Sequence, residues 1–185
     1  MPLPPPVAAR ERLHTRRIEI EGFLREDGLF DLDASLLDVK DNDFALASAT
    51  RPAGVPIHLL RVRLTIDRDF NIVEAAACSD FVPYPGHCDT IGPAYGALVG
   101  LNLVRGFRRT VTEMFGEVRG CSHLTELLHS LPTAAIQTFA SLVKNTESAG
   151  ADKPFQLDRC HALETSTEAV RKYYPRWYRK AGSER

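Results

Sequence analysis

The hydrophobic period of this chain changes once, and that change restricts the fold more than any other feature. "LLRVRLTID" sets Val62, Leu64 and Ile66 on one face and Arg61, Arg63 and Thr65 on the other, the period of two expected of a half-buried strand. "RDFN" then turns the chain into "IVEAAAC", which completes a hairpin. An earlier pair of strands runs through "RRIEIEGFLREDGLFDLDASLLD", where Ile18 and Ile20, then Phe30 and Leu32, alternate about a glycine turn in "REDG". The polar stretch from Asp41 to Pro56 reads as a long connection.

Beyond "FVPYPGHCDTIGP" the period lengthens. Tyr95, Leu98 and Leu101, then Phe107, Val111 and Met114, recur at helical spacing, with Gly106 as a break. The next helix opens at Ser122, read as its N-cap, and buries Leu124, Leu128, Leu131, Ala135 and Leu142, while Pro132 predicts a kink or a restart. A polar loop from Asn145 to Lys153 precedes a short helix over Glu168 to Tyr173, capped by Thr165 or Ser166 and ended by Pro175. Strands first and helices after define an α+β domain: an antiparallel sheet of about four strands in two hairpins, with helices packed on one face.

A chain of 185 residues fits one such domain, expected over residues 16–178 between a proline-rich arm (1–15) and a tail (179–185). The opening "MPLPPPVAAR" has neither the charged start nor the apolar core of a secretory signal, and "IGPAYGALVGLNLV" is too short for a membrane span of about 20 residues. A cytoplasmic protein without a membrane partner is the expectation. Lysine and arginine number 23 against 24 acidic residues, so no global charge draws it to nucleic acid. The end, "VRKYYPRWYRKAGSER", mixes aromatic and basic residues, but docking of the aromatics with solvated cations is the stronger reading than base stacking.

Chemistry is concentrated in cysteines and histidines. Cys121 stands at the start of a helix, where unpaired N–H groups and the macrodipole favour a thiolate, and His123 lies two residues on. His87 and Cys88 share the constrained loop "PYPGHCD", and Cys160 adjoins His161 in "RCHAL". Three of the four cysteines thus have a histidine within two positions, whereas Cys78 ends a strand and reads as core. None of the pairs has the Cys-X2-Cys spacing of a zinc ribbon, so a metal site must be assembled from separate loops.

The segments "DGLFDLDASLLD", "VRLTIDRDFNI", "GHC", "GLNLVRGF" and "RGCSHLTELL" resemble a bacterial domain-of-unknown-function family, DUF2889, over nearly the whole span from Arg16 to Tyr178. More remotely, the order of "GVPIHLLRVRLTIDRDFNIVEAAA", "GHC", "LVRGFRRTV" and "GCSHL" is similar to iron–sulfur cluster scaffolds of the IscU and NifU type. That resemblance implies ligands at Cys88 and Cys121, with His58 near the scaffold aspartate and His123 or Cys160 completing four. Pro56 and Ile57 stand where the first scaffold cysteine is expected, and Gly120 where its histidine is, which argues against sulfur acceptance.

The leading expectation is a metal-binding accessory or carrier protein holding zinc or an iron–sulfur cluster at His58, Cys88, Cys121, His123 and Cys160. One alternative is a thiol- or metal-dependent enzyme of the hydrolase or transferase type, with Cys121 as nucleophile and His123 or His161 as base. A second is a non-catalytic interaction module. The partner, a protein or a small-molecule substrate, is unassigned, and a homo-oligomer stays open.

Overall fold

Alternation governs the first half of the backbone as it governs the sequence. The computed structural model describes residues 2–140, 142–144, 146–147 and 152–180, and the chain divides into two compact units, residues 1–135 and 136–185. Parts of the loop expected over 145–153, and the tail from 181 on, lie outside the described residues.

In the first unit, β1 (His14–Leu24), β2 (Phe30–Lys40), β5 (Pro56–Ile66) and β6 (Ile72–Phe81) form an antiparallel sheet in the order β1-β2-β5-β6. The connection after β2 holds a two-stranded ladder of its own, β3 (Phe44–Ala45) and β4 (Thr50–Arg51). The expected β1–β2 turn is closed by Arg25 N–H donating to Leu29 O at 2.9 Å, with Gly28 at φ 83°, a left-handed conformation that glycine adopts without penalty. Phe30, Leu32, Ala34 and Leu36 of β2, with Leu60, Val62, Leu64 and Ile66 of β5, form one buried face. The opposite face carries charge: Arg63 is paired with Asp33, and Arg61 with Asp80 at 2.7 Å.

The period-two rule sends Cys78 to that second face, where it is exposed rather than in the core as expected. The small apolar run "EAAAC" hides the alternation, because alanine is compatible with either face.

The segment Cys88–Leu98 is a 3-10 helix, not the expected α-helix, and Leu101 lies beyond it. Pro93 lacks an amide N–H, and Gly92 is wedged against β6: a Cβ there would stand 2.5 Å from Ala77 O. α1 (Phe107–Phe115) begins after Gly106, at φ 68°, and buries Phe107, Val111 and Phe115.

α2 (Ser122–Phe139) starts with Thr125 N–H bonded to Cys121 O at 2.9 Å, so Cys121 occupies the capping position assigned above to Ser122. It continues through Pro132 without a break; burial of Leu127, Leu128, Leu131 and Ala135 around it outweighs the one missing amide. Leu142 falls after the helix end and is exposed, not on the buried face as expected.

In the second unit, α3 (Glu168–Tyr173) is capped by Thr167 rather than by Thr165 or Ser166, and its hydroxyl accepts from Val170 N. Leu157 and Val170 are buried, and Gln156 Nε2 donates to the Tyr174 hydroxyl at 2.9 Å. Among the described residues no helix is long and apolar enough to cross a membrane.

Candidate functional site

The buried face of the sheet is apolar along β2 until Asp38, and there it becomes ionic. The register sets Arg16, Asp38 and His58 side by side on β1, β2 and β5. A β-bulge follows between Asp38 and Val39, a device that locally re-aims side chains. Asp38 is 3% exposed.

Its carboxylate is enclosed by donors. Arg16 Nε and Nη2 bind Oδ1 and Oδ2 at 2.8 Å each, a bidentate fork. His14 Nε2 lies 2.9 Å from Oδ1 and His58 Nδ1 lies 3.1 Å from Oδ2. The carboxylate can only accept, so these contacts fix the proton of His58 on Nδ1 and leave Nε2 with its lone pair. Arg16 Nη1 also reaches Glu126 of α2.

α2 supplies the other wall. His123, in its first turn, lies against His58 with ring centroids 3.9 Å apart and planes inclined by 32°. His123 Nε2 is 3.8 Å from Asp38 Oδ2, beyond hydrogen-bond length, and Nδ1 is 4.0 Å from Cys121 Sγ.

Cys121 is held by its backbone. The buried Tyr95 hydroxyl accepts from Cys121 N at 2.9 Å and donates to Cys121 O at 3.2 Å, and the ring stacks on Phe115 with centroids 4.4 Å apart. Gly120 makes this fit possible, since a Cβ there would stand 2.7 Å from Phe115 O and 3.0 Å from the Tyr95 hydroxyl.

Electrostatics sets the protonation states. Burial opposes ionisation of Asp38, but the hydrogen bonds from Arg16 and His14 and the Arg16 charge outweigh it and hold the carboxyl at about 2. Burial lowers the pKa of His58, helped by His123, against the pull of Asp38. Burial, then the charge of Arg16, lowers that of His123. Both imidazoles are therefore neutral at pH 7, as metal ligands and general bases must be.

His58, His123 and Cys121 open onto a cleft of about 390 Å³, together with His87 and Cys88 from the loop after β6. Leu60, Val82, Pro83, Tyr84 and Ile91 give it apolar walls. Four of the five expected metal ligands, His58, Cys88, Cys121 and His123, thus share one cleft. Cys160 and His161 belong to the second unit, where both are exposed.

Among the described residues, the group whose ligand atoms all lie within 4.8 Å of one another is Asp38, His58 and His123. Neither cysteine belongs to it; Asp38 and Arg16 escaped the sequence reading, and His14, expected to be solvated or hydrogen-bonded, is bonded to Asp38. A signal was present: Phe30, Leu32, Ala34, Leu36 and Asp38 occupy alternate positions, and a carboxylate continuing an apolar stripe must be paired when buried.

No curated protein and no solved structure matches the chain. The family model described as "Protein of unknown function (DUF2889)" matches residues 14–137, a span that contains every residue of the group around Asp38 and stops short of Cys160 and His161. By that match, which takes in the whole four-stranded sheet and most of α2, the chain belongs to the DUF2889 family.

Proposed function

We propose that this protein is a metal-binding accessory or carrier protein whose ion sits in the cleft in front of His58 and His123, with Cys121 as a third ligand and Cys88 as the candidate fourth. One observation carries the reading: two neutral imidazoles lie against each other, with Asp38 at 3.1 Å from His58 Nδ1 and 3.8 Å from His123 Nε2 on one side and a cysteine-lined cleft on the other. A carboxylate behind a histidine, fixing its tautomer and raising its basicity, is the usual support of a metal-bound imidazole.

Asp38 is assigned that supporting role. Its two oxygens are already engaged by Arg16, His14 and His58, and a cation bound directly to them would stand beside the Arg16 guanidinium. The 4.0 Å from Cys121 Sγ to His123 Nδ1 is close to the separation of about 3.5 Å expected for sulfur and nitrogen on one tetrahedral zinc. Mixed sulfur and nitrogen ligation suits zinc, and the remote resemblance to cluster scaffolds keeps an iron–sulfur cargo within the same reading.

Metal analysis of freshly purified protein tests this. Stoichiometric zinc or iron is expected, lost in His58→Ala, His123→Ala and Cys121→Ser, with Asp38→Asn weakening affinity about 10- to 100-fold. Cobalt(II) loading adds a thiolate charge-transfer band that Cys121→Ser abolishes. Protein that neither retains metal nor takes it up defeats the proposal.

A second reading rests on a different feature: Cys121 caps an 18-residue helix with an imidazole at 4.0 Å and a carboxylate behind that imidazole. This is the order of a thiol nucleophile, its base and the base's orienting group. Metal-free protein alkylated by iodoacetamide at Cys121 alone, at a rate that falls in His123→Ala, would favour it.

A further inference from the structure

β1 lies at the edge of the sheet, and among the described residues no strand pairs with its outer side. All eleven of its residues pair with β2 without a bulge, it contains no proline, and most of it is exposed on both faces. Such an edge is a template for another strand unless something blocks it. Of the three apolar residues directed to the buried face, Ile18 and Leu24 are 39% and 55% exposed and Ile20 is half-buried.

The hairpin fixes which amides are free. Arg25 N–H bonds to Leu29 O, so the backbone groups of odd-numbered β1 residues point to β2. Those of His14, Arg16, Ile18, Ile20 and Gly22 therefore point outward, a full set for an antiparallel ladder.

We propose that two copies of this chain join through β1 about a two-fold axis at Ile18, making one continuous eight-stranded sheet. Charge selects the occupant and the register. Arg17, Glu19 and Glu21 make no ion pair among the described residues. With Ile18 opposite Ile18 of the second copy, Arg17 faces Glu19 twice, in non-hydrogen-bonded positions where side chains come closest.

The same register sets Leu13, 60% exposed, against Phe23, 45% exposed, and forms about ten main-chain hydrogen bonds, two for each narrow pair. A shift of one residue at the axis in either direction places Arg17 on Arg17 or Glu19 on Glu19. A run of one sign would oppose self-pairing; this alternation favours it.

Light scattering with size-exclusion chromatography on the full chain tests the proposal. The expected mass is about twice 20.6 kDa at tens of micromolar. Arg17→Glu and Glu19→Arg singly should each raise the dissociation constant about tenfold or more, and the double swap should restore it. Ile18→Pro removes an outward amide without touching the β1–β2 ladder and should give a folded monomer, with circular dichroism confirming the fold. A monomeric native chain overturns the proposal. So does a dimer that survives both Arg17→Glu and Ile18→Pro, since its interface must then lie elsewhere.

Discussion

Asp38 is the residue on which the site turns, and its surroundings make a definite statement about pH. His58 and His123 both have pKa values depressed below 6.5 in the fold, through burial first, whereas the unfolded chain protonates them at the ordinary value. Between those limits the unfolded state binds more protons. Their contribution to stability is thus complete above pH 6.5 and lost as pH falls through the lowered folded values. The thermal midpoint of metal-free protein should drop on acidification below pH 6.5, and His58→Asn should flatten that slope. Asp38, held at about 2, keeps its charge throughout this window and adds an acid loss only near pH 4 to 2. His123 was visible in the sequence as the neighbour of Cys121 and His58 only through the remote scaffold resemblance, but the carboxylate behind them was not sought. Pairing a carboxylate with a histidine twenty positions away requires the strand register, which a single sequence does not supply.

Among the elements, the junction between α1 and α2 is the most tightly specified. Gly120→Ala would press a methyl group on Phe115 O and the Tyr95 hydroxyl, at an expected cost of about 1 to 3 kcal/mol from overpacking, and would displace Cys121 from its hydrogen bonds. Denaturant unfolding reads the first effect and Cys121 alkylation rate the second. Tyr95→Phe separates them, because it removes both hydroxyl contacts and leaves the packing unchanged. The strands were legible because alternation is a local signal: "LLRVRLTID" and "RIEIEGF" each report their faces unaided. The segment Cys88–Leu98 was not, since its 3-10 winding follows from Gly92 approaching β6, a tertiary contact. Pro132 misled for the same reason, as burial on both sides of it carries the helix onward.

For the whole molecule, the order of hydrogen exchange follows from strand position. β2 and β5 have neighbours on both sides, so their amides should exchange slowest. The outward amides of His14, Arg16, Ile18, Ile20 and Gly22 should exchange fast in dilute protein and slow as concentration rises through the dimer range, with no such trend in Ile18→Pro. Concentration-independent exchange at these five positions would count against strand pairing.

Arg16 is shared by two carboxylates, those of Asp38 and Glu126, so these three groups together carry an excess of one negative charge beneath the cleft. In the proposed site, a dication held by Cys121 as its one thiolate would bring in one positive charge and offset that excess, whereas a second thiolate from Cys88 would leave it in place. A monovalent ion with Cys121 alone would leave the excess in place, and a trivalent one would reverse its sign. For the metal site proposed above, ion valence would therefore weigh on affinity through the shared arginine as well as through the ligands.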